Sequence, residues 1–267
     1  MSSSQRPLPR NFLLLFGNAA SRAFLGRRGL VLILLAALPA VLAWFVVHSG
    51  ARVGMDVFLG ATLMFAFQFI VPFLGLLVGV AVLGDEIEGR TVTYLFTRPQ
   101  SRPVVFLARY LGFATAFAVL VFVTTFLAAH FWSSGVPITP RQVAGTAGIA
   151  ALGFVVYAAF FAALRMYVSR ALFVGFILGF IFEGAISKLP GTGIARCSVW
   201  HHVALLEVRL FDPTATTHEL RELLSGIGAD ETAAGSLMTL GAILVVSLAA
   251  GAWRVRTQET RLANAAT

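Results

Sequence analysis

Lysine occurs once, at Lys188, in a chain of 267 residues that otherwise relies on arginine for positive charge. A phosphate-cradling loop of the form G-x-x-x-x-G-K-[ST] needs a lysine between a glycine and a hydroxyl residue. Lys188 stands between Ser187 and Leu189, so this chain carries no standard ATPase loop. Cysteine is equally scarce, and Cys197 alone excludes an internal disulfide. Neither an H-E-x-x-H helix nor a G-x-S-x-G elbow occurs, so no catalytic residue is assigned. Charge is the third shortage: only 12% of residues are charged, about half the share of an ordinary soluble domain.

What fills the space is apolar. Hydrophobic residues make up 58% of the chain and the mean hydropathy is +0.86. A soluble core of this size could not hide so much apolar surface, so the expected solvent is the lipid bilayer and the expected fold is an all-α integral membrane domain spanning 1–267. Six transmembrane helices are expected at 29–47, 57–83, 104–131, 143–164, 171–187 and 234–253. Each has the ~17 or more mostly apolar residues that a ~30 Å hydrocarbon core demands. The first is too long an apolar run for a cleaved signal peptide.

The net charge of +8 does not form one basic face, which argues against a nucleic-acid partner. It is divided among short connections. The segments 1–28, 84–109, 165–170 and 254–267 hold 14 of the basic residues, and the alternate segments hold 6. This asymmetry predicts that both termini lie in the cytoplasm. The segment 189–233 is then an external loop, net acidic, in which Val199, Trp200, Val203, Leu206, Leu210 and Phe211 predict an amphipathic helix resting on the membrane. At the other end, Phe12, Leu15, Phe16, Ala19, Ala23 and neighbours line one side of the segment 11–26. They predict an amphipathic N-terminal interfacial helix within the cytoplasmic arm 1–28, turning at Gly26-Arg27-Arg28-Gly29.

Between the second and third spans, 84–103 is a dense polar island. Asp85, Glu86 and Glu88 suit a helix start, where acids favour the positive end of the dipole. Glu86 and Arg90 stand four apart in the favourable order. Ile87, Tyr94, Leu95 and Phe96 supply an apolar side, and Pro99 stops the helix. Ser101 is placed to cap the next helix, with Pro103 in its first turn. The island therefore reads as a short cytoplasmic helix joined to two membrane spans, on which a soluble partner could press.

The run Asp-Glu-x-Glu-Gly-Arg-Thr-Val-Thr-Tyr-Leu-Phe-Thr-Arg-Pro-x-Ser-Arg resembles the cytoplasmic signature of ABC-2 type transporter permeases, of the multidrug and bacitracin-export kind. Glu86, Glu88, Gly89, Thr91, Tyr94, Leu95, Pro99, Ser101 and Arg102 stand at the family's positions. Many members run Gly-Thr-Leu, whereas here Arg90 intervenes and Val92 follows. The resemblance implies a coupling helix between helices 2 and 3, with Glu86, Glu88, Arg90, Thr91, Tyr94, Leu95, Pro99 and Arg102 facing an ABC ATP-binding subunit. It also implies a second copy of the chain, a bacterial or archaeal cell membrane, and ATP and magnesium held on the partner subunit with no cofactor here. The function implied is the permease subunit of an exporter. Two other readings stand beside it: a membrane scaffold or assembly factor that docks a protein through 196–230, and an ion-coupled secondary transporter.

Ionisable groups within spans are costly and mark functional candidates. Glu183, near the outer end of the fifth span, is the clearest, with pairing to Lys188 at the interface as its structural alternative. Gln68 in the second span can bond another helix or line a path, as can Thr124, Thr125 and His130. Cys197, His201 and His202 include good metal ligands but lack a second matched pair, so no metal site is assigned. Pro39 and Pro72 are expected to kink spans one and two.

Overall fold

A computed structural model describes residues 8–25, 27–50, 54–88, 101–186, 197–211 and 232–264. Every regular element among them is helical. Helix α1 is Leu8–Arg22 and α2 is Arg27–His48. Helix α3 is one continuous rod over 55–88, with α-helical turns at Met55–Gly60 and Val71–Glu88 around a π-helical stretch at Ala61–Ile70. Helices α4, Arg102–Trp132, and α5, Pro140–Tyr167, follow. Helix α6 is short: Ala171–Phe176, a π-helical Ile177–Phe182 and Glu183–Ile186. Helix α7 is Val199–Phe211 and α8 is Ala233–Asn264.

Five stretches are long and apolar enough to cross a membrane: Arg27–His48, Met55–Val82, Arg102–Trp132, Pro140–Tyr167 and Ala233–Thr257. They cover the first four and the last of the expected spans. The fifth differs. Helix α6 has 16 residues, which at 1.5 Å per residue reaches at most ~24 Å.

Helix α5 is the central post. It can sit tightly against α3 because both surfaces are made of small residues. A Cβ added at Gly75 would stand 2.6 Å from the Cβ of Tyr157, and one at Gly79 would stand 2.6 Å from the carbonyl oxygen of Ala158. Gly75 and Gly79 are one helical turn apart and face Ala158 and Ala162, the small-x-x-x-small geometry by which membrane helices reach backbone contact. The Tyr110 hydroxyl of α4 donates to the carbonyl of Val155 at 2.8 Å, fixing α4 on the next face of α5. On α8, Gly251 makes room for the ring of Phe106 and the backbone of Ala163. At this end the Tyr167 hydroxyl donates to the Ala250 carbonyl at 3.1 Å, and Arg254 lies 5.4 Å from the centre of the Tyr167 ring.

The outer faces match an apolar solvent. Phe45, Phe173, Ile181, Met238, Val245 and Val246 are all more than 60% exposed, which only a lipid environment or another apolar surface makes tolerable. Helix α1 is separate from α2 and packs on α4, where Gly112 leaves no room between itself and Ala19. The tight corner into α2 brings Gly29 against the backbone of Phe24.

Two local expectations are corrected. Asp85, Glu86 and Glu88 do not begin a new helix; their backbone continues α3, which ends at Glu88. Ser101 does occupy the cap position of α4, with extended backbone and a proline in the first turn, but its side chain makes no capping hydrogen bond. Thr139 performs that role on α5, accepting from the amide of Gln142 at 3.3 Å while Gln142 returns a bond to the Thr139 amide at 2.9 Å.

Candidate functional site

Helices α6 and α7 lie end to end along the same side of α5. Phe161 packs against Gly175 and Gly179 of α6, and Tyr157 lies beside Glu183. Further along α5, Gly153 meets Val203, Thr146 bonds Glu207, and Gln142 donates to the carbonyl of Leu210 at 3.4 Å. As the numbers fall along α5 they rise through α6 and then α7. Both short helices therefore run antiparallel to α5, one beside each half of it. The helix expected to rest on the membrane surface is instead part of the body: Trp200, His201, His202, Leu205, Glu207 and Phe211 are all buried. The sequence pattern misled because its polar residues do not face water. They find partners on α5 and α8, as when His202 Nδ1 lies 3.2 Å from the Ser236 hydroxyl.

Glu183 stands at the junction. Its Oε1 accepts from the Ser198 hydroxyl at 3.0 Å and from the Trp200 amide at 2.8 Å. Ser198 in turn accepts from the amide of His201 at 3.3 Å. The carboxyl thus closes the open amide end of α7, where a negative group is favoured by the helix dipole. Beside it lies a cavity of about 480 Å³ walled by α5, α6, α8 and the start of α7. Its walls are overwhelmingly apolar, with Glu183, Tyr157, Ser198, Thr239 and Ser247 as polar points.

Toward the far end of α7, Glu207 is fully buried and its Oε1 accepts from the Thr146 hydroxyl at 2.7 Å, while Oε2 has no hydrogen-bond partner. Thr146 also borders a second cavity of about 20 Å³, roughly the room of one water molecule, with Thr62 and Thr125 on its other walls.

The family model described as ABC-2 family transporter protein matches residues 42–260. This chain belongs to that family. The match spans most of the chain, from the last turns of α2 into α8, and includes the polar island. As an ABC-2 family protein it is a multi-pass membrane protein and a component of an ABC permease, which in general works with an ABC ATP-binding subunit. Among curated proteins no significant match is found.

The residues singled out in this ABC-2 protein fall into three groups. Arg90, Thr91, Tyr94, Leu95 and Pro99 lie outside the described residues, as does Lys188. Glu86 and Glu88 are placed by backbone alone, at the end of α3, and Arg102 opens α4. Glu183 lies at the α6–α7 junction, and Gln68 packs against its neighbour, with Gln68 Nε2 3.0 Å from where a Cβ on Gly184 would stand. Among the described residues no group of three or more His, Cys, Asp or Glu side chains could hold a metal ion. Pro39 sits inside α2 and is buried there.

Three contributors escaped the sequence. Glu207 was visible only as one acid in an acidic segment, and Thr146 as one polar residue in a span. Trp200 was counted as apolar, yet its indole Nε1 donates to the carbonyl of Leu63 at 3.3 Å, inside the π-helical stretch of α3. The pairing ties α7 to α3. Replacing Trp200 with Phe removes this hydrogen bond, so thermal unfolding of the detergent-purified protein is expected to show a loss of about 1 kcal/mol.

Proposed function

We propose that this chain is the permease subunit of an ATP-driven exporter, working as two copies with two ATP-binding subunits in a bacterial or archaeal cell membrane. The family match over 42–260 carries this reading. The missing phosphate loop supports it, because the ATP chemistry must then come from another chain. In this reading the membrane is crossed six times: by the five long helices and by α6 and α7 as a two-piece span. The end of the bundle bearing Arg27, Arg28, Arg102, Arg109, Arg165 and Arg254 is cytoplasmic, in accord with the arginine asymmetry. Closure of the ATP-binding subunits on ATP presses on the segment 84–103. That segment links α3 to α4, and α3 is packed backbone to backbone on α5, so the push reaches the centre of the domain. Glu86, Glu88, Arg90, Thr91, Tyr94, Leu95, Pro99 and Arg102 form the contact.

Within the segment 196–230 that the scaffold reading uses for docking, the described helix Val199–Phe211 presents almost none of its side chains; 212–230 lie outside the described residues.

The test is to co-express the chain with the ATP-binding protein encoded beside it and to replace Glu86 and Glu88 together with alanine. Transport-linked ATP turnover in proteoliposomes is expected to fall at least ~10-fold, equivalent to about 1.4 kcal/mol of coupling, while the permease itself remains folded. Unchanged assembly and unchanged turnover would falsify the coupling assignment.

A further inference from the structure

We infer that the cavity at the α6–α7 junction is a binding site for an amphipathic amine, with Glu183 as the counter-ion of its ammonium head. The inference deepens the permease reading by naming a ligand class, and it concerns a site within one copy of the chain.

Three observations converge on it. The first is size and lining. A cavity of about 480 Å³ with apolar walls falls in the range that takes a drug-sized molecule. Its walls include Phe161 on α5 and Val246 on α8, and Val246 is 65% exposed on the outer face of the bundle. A ligand dissolved in the bilayer can therefore enter from the side without crossing water.

The second is the polar end. The Ser198 hydroxyl and the Trp200 amide fall on Oε1, and the Tyr157 hydroxyl and the Val199 amide also lie beside the carboxyl. All four are neutral groups. No described arginine, lysine or histidine pairs with this carboxyl; its partners are hydroxyls and amides. A carboxylate held in an apolar cavity by dipoles alone gains most from a cation that brings its own N–H donors. The third is Tyr157. Its buried hydroxyl lies beside the Glu183 carboxyl and reaches no other group. An ammonium seated on the carboxylate also offers the Tyr157 oxygen a donor, and the Tyr157 and Phe161 rings, stacked with centroids 6.2 Å apart, line the same cavity. A neutral head can donate a hydrogen bond but brings no charge, and an anionic head is repelled.

The probe is dansylcadaverine, an aromatic body joined by a pentyl chain to a primary ammonium; its N-acetyl derivative keeps the shape and removes the charge. Dansyl fluorescence is followed on the purified permease in neutral detergent, without the ATP-binding subunit, so a negative result leaves the coupling experiment untouched. The ammonium form is expected to bind saturably with a blue-shifted emission, and the acetylated form at least ~10-fold more weakly, or 1.4 kcal/mol. Glu183→Gln keeps an acceptor oxygen for Ser198 and Trp200 but loses the charge, and is expected to weaken the ammonium probe by a similar factor at an unchanged unfolding temperature. Ala242→Trp fills the cavity from α8 and abolishes binding of both probes. If Glu183→Gln does not fold, Ala242→Trp and the acetylated probe decide the matter. Equal affinity of the two probes, or wild-type binding by either variant, overturns the assignment. Phosphatidylethanolamine added as competitor separates the two sources of such a head. Displacement of the probe assigns the site to a lipid ammonium, and its persistence assigns it to a free amine; both outcomes support the amine site.

Discussion

Gly79→Val prevents this protein from reaching a stable fold. A Cβ at Gly79 falls 2.6 Å from the carbonyl oxygen of Ala158, 2.9 Å from the amide of Ala162 and 2.9 Å from the Cβ of Phe161. Two of these three atoms are backbone of the central helix, so no rotamer change relieves the clash. Overpacking against movable side chains costs ~1–3 kcal/mol, and a clash with a rigid helix exceeds the upper end. The expected result is loss of most folded material, read as the monodisperse fraction in detergent chromatography, and a loss of at least ~3 kcal/mol in whatever survives. The control is Gly148→Ala. It lies on the same central helix with nothing within 4 Å of the added Cβ, and it should leave yield and unfolding temperature unchanged or slightly raised. If Gly79→Val behaves like Gly148→Ala, the close approach of α3 and α5 is not what holds the bundle.

The second large effect is a pair. Thr146→Val removes the donor to Glu207 Oε1, and because Oε2 is already unpaired, the buried carboxyl keeps no hydrogen bond of its own. Stranding a buried polar group costs ~1–3 kcal/mol, and more for a charged one. Adding Glu207→Met to that variant replaces the stranded group with an apolar chain of similar length, and stability should return to within ~1 kcal/mol of the parent. The check is a double-mutant cycle of unfolding free energies. The idea fails if the two changes simply add, since the bond would then have contributed nothing.

How much of this was legible from the sequence depends on what kind of signal each part leaves. Long apolar runs leave a strong one, and the helices at Arg27–His48, Arg102–Trp132 and Pro140–Tyr167 contain the expected spans with one to three residues added at the ends. Those extra residues are polar or lie at caps, where hydropathy is silent. The short fifth helix also appeared as a run of the right length, but the described helix, 171–186, is shorter than a full crossing needs. Helix α7 was misplaced for a related reason. Its polar residues, His201, His202 and Glu207, are those of a surface helix, and only the tertiary partners Thr146 and Ser236 reveal that they are inside. Glu183 was found because a lone carboxylate in an apolar run is conspicuous. Its partners were not, since Ser198 and Trp200 lie 15 and 17 residues on in an unremarkable stretch.

The junction of α6 and α7 has a mechanical consequence. A continuous α-helix is stiff along its axis, so a displacement at one end of α5 arrives nearly undiminished at the other. Among the described residues, what joins α6 to α7 is a side chain: Glu183 Oε1 accepts from Ser198 and Trp200. A side-chain joint yields to bending more readily than a helical ladder, so through this contact a push along α6 would reach α7 as rotation more than as translation. The contact sits against the wall of the large cavity.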